Sequence, residues 1–282
     1  MLVACGGGGG GADTTPPPDT SGGGSGGGGS PSAASQALVT SSVKGLDVAL
    51  TYSGASVTAI VPTAVSQAPV FSSVNSLNSF TLNDSYGDVT SQLSLNTFGV
   101  GAGTFMESSL NSGATVYSLG GTTWSYTRFG IFKNAVGTAA QYTIRNTPFF
   151  IASVSTPATL TNATFATNGL AVGVMSTTTS KTGIKCSASA AYTQSSQEVE
   201  VTLTSCVKDG TATAVPVTGS VVLGTGVATL NNFTINDGVA LTANNVVSSG
   251  FKFGGSTGQE LVGAVTLSGT AGYFTFAFGA KK

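Results

Sequence analysis

Apolar and polar side chains alternate along much of the second half of the chain. The clearest case is the last segment, where Phe274, Phe276 and Phe278 alternate with Tyr273, Thr275 and Ala277. A period of two is typical of a strand with one buried face. The same pattern, interrupted by turn residues, predicts strands at 141–144, 163–175, 183–193, 198–207, 219–223, 227–235, 250–253, 261–267 and 271–278.

The first half of the chain has shorter strand-like segments, separated by Gly, Asn and Ser. They cover residues 47–53, 56–61, 79–82, 91–97 and 115–119. We find no stretch with helical periodicity, so the prediction is an all-β protein. Regularly spaced antiparallel strands favour a sandwich or an up-and-down barrel.

Composition narrows the classes of function. Only 7% of residues are charged, against roughly 25% in an average soluble domain, and the net charge is −1. No overall positive field would therefore attract a nucleic acid, and we expect no such partner. The chain has no histidine, which removes the commonest general base and the commonest metal ligand. We accordingly expect neither an enzyme nor a metal site.

The few charges are unevenly distributed. Residues 32–120 hold one base against four acids, whereas residues 121–282 hold nine bases against five acids. A change of sign near residue 120 is consistent with a boundary between two subdomains at that point.

The first residues match a bacterial lipobox, in which Leu2, Val3 and Ala4 precede Cys5. Residues 1–5 are interpreted as the remnant of a lipoprotein signal, with Cys5 as the site of lipid attachment. Residues 6–35 are rich in Gly, Pro and Ser and are expected to form a disordered tether. Gly6 follows the cysteine rather than an inner-membrane retention Asp, so we expect a surface-exposed lipoprotein anchored in the bacterial outer membrane.

The two remaining cysteines are predicted to form a disulfide. Cys186 and Cys206 fall opposite each other if residues 183–207 fold as a hairpin centred on Ser196. The alternative is two separate buried thiols. An exported protein meets an oxidising environment, which favours the bridge.

Two glutamates of one predicted strand have a spacing that could suit a catalytic carboxylate pair. Glu198 and Glu200 lie on one face of a predicted strand. Because Val199 and Val201 occupy the opposite face, the favoured interpretation is a solvated outer surface.

Three segments of the second half resemble the β-barrel domain of the transferrin-binding protein B family and its hemophilin-like relatives. Tyr126–Phe132 is similar to the strand that opens this domain, residues 253–263 resemble a Gly-rich family motif, and residues 278–282 resemble its end. The second segment departs from the family pattern at Gly254, Ser256 and Val262. The resemblance implies a β handle at 36–120 followed by an eight-stranded antiparallel up-and-down barrel at 121–282.

Arg128 is the only charged residue of the first segment, and Glu260 is the only one of the second. Both would lie on strands near the seam of the barrel. Buried charges persist only when they are paired, so we expect a structural ion pair between them.

The resemblance implies a binding module for a host protein or a small nutrient, in iron or haem acquisition. Its ligand would contact handle loops and barrel rims, with Val70-Phe71 and Pro148–Phe150 as apolar candidates beside a core role. One alternative is a haem carrier with a non-histidine ligand, drawn from Tyr86, Tyr117 and Met106; no other cofactor is expected.

Two further classes remain open. A structural or adhesive surface protein would have the same composition. An integral outer-membrane barrel would direct Phe274, Phe276 and Phe278 towards lipid, whereas the lipoprotein would direct them into the barrel.

Overall fold

The computed structural model describes residues 37–77, 79–84, 87–90, 96–100, 103–109, 116–154, 160–224 and 227–282. Within these ranges the chain forms strands and no helix. Residues 36–282 belong to one compact unit. We call the first eleven strands the handle: β1 Ala37–Ser42, β2 Leu46–Ser53, β3 Ser56–Ala64, β4 Val70–Ser76, β5 Ser79–Asp84, β6 Gly87–Thr90, β7 Asn96–Val100, β8 Gly103–Ser109, β9 Val116–Gly120, β10 Thr127–Gly137 and β11 Gln141–Val154.

The remaining strands are one short edge strand and the eight strands of the barrel. They are β12 Ala163–Phe165, β13 Thr167–Thr177, β14 Lys181–Thr193, β15 Glu198–Lys208, β16 Val217–Leu223, β17 Thr229–Asn236, β18 Ala240–Gly254, β19 Glu260–Gly269 and β20 Gly272–Lys281. Strand β12 lies on the edge of β14, and β13 to β20 form the barrel. From β13 to β20 each strand pairs antiparallel with the next, and β20 pairs back with β13. The predicted closed, eight-stranded, up-and-down barrel is therefore confirmed, together with an N-terminal handle of sheets.

Apolar side chains fill the barrel. Each of its eight strands contributes to one core cluster, in which Phe274, Phe276 and Phe278 are fully buried. Phe233 from β17 stacks on Phe274 at a ring-centroid distance of 6.0 Å. The alternating phenylalanines thus point into the barrel, as predicted for the lipoprotein and not for the integral membrane barrel.

The main handle sheet has the strand order β3-β2-β11-β10-β9-β8-β7. Strand β2 pairs with the first half of β11, and β1 pairs with its second half, residues 149–154. One face of this sheet carries Phe132, Phe149 and Ile151, which pack against Phe80 and Leu82 of the small β4-β5-β6 sheet. The handle sheet is thereby covered on one side by a second layer of strands.

The opposite face of the handle sheet packs on the outside of the barrel. Phe129 and Phe150 belong to the same cluster as Val172, Val262 and Ala277 of the barrel wall. Close approach of the two parts requires small residues. A Cβ on Gly279 of β20 would lie 2.6 Å from the Phe129 ring, well inside van der Waals contact.

The strand pairing corrects the predicted boundary between handle (36–120) and barrel (121–282). Strands β10 and β11 pair with β1, β2 and β9 of the handle sheet, and the barrel ring starts at β13. Both strands are covered on two faces, so their central residues are buried without the alternation of a half-exposed strand. The change of charge near residue 120 therefore does not mark the division between handle and barrel.

Candidate functional site

The barrel wall opens at one seam. Strand β17 pairs with β18 at only three positions, the last being Thr234 with Thr242. Strand β18 continues to Gly254, and among the described strands it is paired there only with β19. Two irregularities bend β18 before Ser248, and a left-handed Asn232 interrupts β17. Such bulges increase strand bending and end regular pairing, so the two strands diverge towards one end of the barrel.

A cleft of about 540 Å³ lies at this open end. We call it the mouth cleft. Its lining combines strand β18, the β14–β15 turn, the end of β16 and two handle strands: Ser41, Phe150, Tyr192, Gln197, Gly224, Gly250, Phe251, Lys252 and Phe253. The lining combines three phenylalanines with polar side chains, and a concave site of this size that includes aromatic rings is a candidate ligand site.

Aromatic rings hold the floor of the mouth cleft in place. The Phe253 ring packs edge-on against Tyr192 at 5.0 Å and against Phe251 at 5.7 Å. It also lies 5.7 Å from Phe165 of β12. Because Phe165 and Tyr192 are buried, the site is built on the closed part of the barrel.

Lys252 supplies the one charge in the lining. It lies between Phe251 and Phe253 on β18 and is exposed. The ion pairs seen among the described residues include Arg145 with Asp47, Lys185 with Asp209 and Lys281 with Glu260. As an exposed cation of the lining, Lys252 can meet a carboxylate that enters the cleft.

The predicted charged residues Arg128 and Glu260 both lie at the joint between handle and barrel. The Glu260 carboxylate accepts hydrogen bonds from the Ser125 and Tyr126 backbone N–H groups and from the Thr127 hydroxyl, at 2.9–3.0 Å. This carboxylate of β19 thus fastens the barrel to the segment that leads into β10.

The Arg128 guanidinium binds the same segment from within. It donates to the backbone carbonyls of Gly121, Trp124 and Thr127, each at 2.7 Å. Burial lowers the pKa of Arg128 from its usual value, and the nearby Glu260 carboxylate acts in the opposite direction. The two charges therefore interact, and a direct ion pair between them stays a prediction.

The predicted disulfide is present between Cys186 and Cys206, with Cα atoms 4.0 Å apart. Both cysteines are buried in the barrel core. The pairing of Ile184 with Lys208 follows the register of the predicted hairpin, which then shifts at a bulge containing the left-handed Ser205.

The other residues singled out from the sequence have mixed outcomes. Cys5 and Tyr86 lie outside the described residues, and the side chains of Tyr117 and Met106 are also outside that set. Phe149 packs in the handle core, whereas Phe150 reaches the mouth cleft.

A smaller cleft of about 270 Å³ lies in the handle. Val70, which is 68% exposed, forms part of its lining together with the 65–69 loop and Arg145. Phe71 instead packs on Phe80 and Phe149. The apolar pair Val70-Phe71 is thus divided between surface and core.

Glu198 and Glu200 lie on the exposed side of β15, opposite the buried Val199 and Val201. This agrees with a solvated outer face. Among the described residues we find no cluster of Cys, Asp and Glu suited to a metal ion. The described ranges also contain no helix that would traverse a membrane.

No protein-family model and no curated protein matches the chain. Among solved structures it is similar to isotype 1 transferrin binding protein B from serogroup B Neisseria meningitidis, with 16% identity and a TM-score of 0.43 over 85% of this chain and 43% of that one. For a double mutant of transferrin binding protein B from Haemophilus parasuis the identity is 12% and the TM-score 0.42, over 84% of this chain and 44% of that one. For intact Ap-TbpB, with its N and C lobes, the identity is 12% and the TM-score 0.43, over 85% of this chain and 46% of that one. The chain spans less than half the length of these proteins.

Proposed function

We propose that this chain is a binding module displayed on the bacterial surface, and that its ligand is a host protein or a nutrient. The observation that carries the proposal is the mouth cleft, a concavity of about 540 Å³ with an aromatic floor on one side of the barrel. Its aromatic floor is fixed by core packing, so the cleft is formed before a ligand arrives. A preformed cleft reduces the ordering cost of binding.

The N-terminal residues would anchor the protein to the bacterial surface. In this proposal Cys5 is acylated, and residues 6–35 hold the folded part away from the outer membrane. Extraction of cells with Triton X-114 tests the anchor. The wild-type chain should enter the detergent phase, and a Cys5→Ser variant should remain in the aqueous phase.

The ligand class is tested by incubating the immobilised full chain with host serum. Purified transferrin is included because the sequence segments described above resemble the transferrin-binding protein B family. We expect one serum protein to be retained at a defined stoichiometry and to survive washing at 0.15 M salt, where exposed charge pairs are screened. Retention of none, from serum or from purified transferrin, would contradict a host-protein ligand.

Haem is a second candidate ligand, because the aromatic mouth cleft includes Tyr192. A tyrosine phenolate can serve as an axial haem ligand. An absorbance titration tests this. A Soret shift in the wild-type chain that is lost in Tyr192→Phe would support haem binding there, and an unshifted spectrum would reject it.

A further inference from the structure

We propose that the mouth cleft binds an extended polypeptide segment, which adds a strand to the open edge of β18 at Ser249–Phe253. The inference rests on the proposed function and specifies the chemical class of the partner. It follows from the backbone of β18, from the side chains around it and from the charge of Lys252.

The backbone provides the first argument. From Ser249 to Gly254, β18 pairs with β19 at six consecutive positions without a bulge. On the other side, pairing with β17 ends at Thr242 within the described residues. In a strand, N–H and C=O groups point alternately to the two edges. The segment Ser249–Phe253 therefore presents a row of donors and acceptors to the cleft.

An open strand edge is normally protected by β-bulges, by charged side chains or by a loop or helix that covers it. Here the irregularities lie between Ala243 and Ser248, which leaves the part beside the cleft regular. An extended peptide satisfies the backbone groups of an open edge and places alternate side chains in neighbouring pockets. A compact small molecule would fill the cleft without using this edge.

The side chains define the sequence that the cleft would accept. Phe251 and Phe253 line the barrel side together with Tyr192, so the partner needs apolar residues at every second position. Lys252 is exposed between the two phenylalanines. A carboxylate on the opposite face of the added strand would complement its charge. The partner is thus an acidic, alternating apolar segment.

The test uses the full chain and a panel of acetylated, amidated hexapeptides. Each peptide has Val, Ile or Phe at three alternate positions, one Glu, and Thr at the other two. Fluorescence anisotropy should identify members that bind the wild-type chain and bind Lys252→Glu about tenfold more weakly. Lys282→Glu is the matched control, because Lys282 is exposed at the same end of the barrel but does not line the cleft.

Backbone pairing is tested separately by N-methylating alternate peptide bonds of the best binder. Methylation of the set that faces β18 should abolish binding, and methylation of the other set should not. Hydrogen exchange should show new protection at residues 249–254. Equal binding of both methylated peptides, or a panel without any member that prefers wild type over Lys252→Glu, would overturn strand addition.

The outcomes separate the two proposals. If the chain captures a serum protein and Lys252→Glu captures it equally well, strand addition is wrong and the binding module stands. If the peptides bind as described while serum yields no ligand, the edge site stands and host-protein capture is wrong.

Discussion

At the residue scale, the joint between handle and barrel depends on buried charge. Glu260 is 3% exposed and accepts three hydrogen bonds from the segment before β10. A buried donor that loses its acceptor retains its desolvation cost. Glu260→Ala should therefore lower the free energy of unfolding by about 3–5 kcal/mol. A urea titration measures this, and a loss below about 1 kcal/mol would contradict it.

The ion pair predicted between Arg128 and Glu260 is tested by a double-mutant cycle. If the two side chains pair directly, Arg128→Met and Glu260→Gln together should cost about 1–3 kcal/mol less than the sum of the single changes. Additivity within about 0.5 kcal/mol would show that the two charges act independently, each through its own partners.

Lys181, half-buried at the start of β14, makes stability depend on pH. Burial and the positive charge of Lys133 lower its pKa to about 8, although Asp209 opposes the shift. Between pH 8 and the usual lysine pKa near 10.5, the unfolded chain binds this proton and the folded chain releases it. The free energy of unfolding should therefore rise with pH, by at most about 1.4 kcal/mol per unit.

The control for this effect is Lys181→Met. Chemical denaturation at several pH values between 7.5 and 10 should give a flatter profile for the variant than for wild type. Lys133→Met should lie between them, because it removes only one cause of the shift. Parallel profiles for all three proteins would rule out Lys181 as the source.

The disulfide links residues 20 positions apart in the core of the barrel. Closing a loop of this size contributes roughly 3 kcal/mol in the chain-entropy model. The double variant Cys186→Ala, Cys206→Ala should lose about that amount in a denaturant titration. Dithiothreitol should destabilise the wild type and leave the variant unchanged; equal sensitivity would contradict this account.

At the scale of elements, strands could be predicted from the sequence where each carries its large apolar side chains on one face. The alternation of Phe274, Phe276 and Phe278 predicted β20, and the hairpin expected at residues 183–207 placed Cys186 opposite Cys206. The boundary at residue 120, which the family resemblance implied, instead placed β10 and β11 with the barrel, whereas they pair with handle strands. Strands covered on both faces lose the period of two, so their sequence pattern does not reveal which sheet they join.

The mouth cleft could not be predicted from the sequence, for a different reason. Phe251 and Phe253 were predicted to lie in a strand, but the site depends on where β17 stops pairing with β18. That point is fixed by bulges and by Asn232, which has a φ of 51°. Single residues do not encode such long-range register, so the open edge beside Lys252 could not be anticipated.

At the scale of the whole molecule, handle and barrel share one apolar interface and should unfold together. Gly279 lies in this interface, where a Cβ would be 2.6 Å from Phe129 and 2.8 Å from Trp124. Gly279→Ala should therefore cost about 1–3 kcal/mol in the free energy of unfolding. Thermal or chemical denaturation followed by tryptophan fluorescence measures it.

Gly250→Ala is the matched control, because a Cβ there meets its nearest side chain, Phe150, at 3.5 Å. We expect a change within about 0.5 kcal/mol. Equal losses in the two variants would contradict the close packing inferred at Gly279. Separate unfolding transitions for handle and barrel would contradict the single cooperative unit.

The central claim is that ligand binding occurs at the mouth cleft. The most direct measurement compares serum capture by two full-length variants, Lys252→Cys and Lys282→Cys, each labelled with the same bulky maleimide dye. A label at Lys252 fills the cleft, whereas a label at Lys282 lies outside its lining. The account predicts that the first labelled protein loses its ligand and the second retains it. Equal capture by both would place the binding surface elsewhere on the molecule.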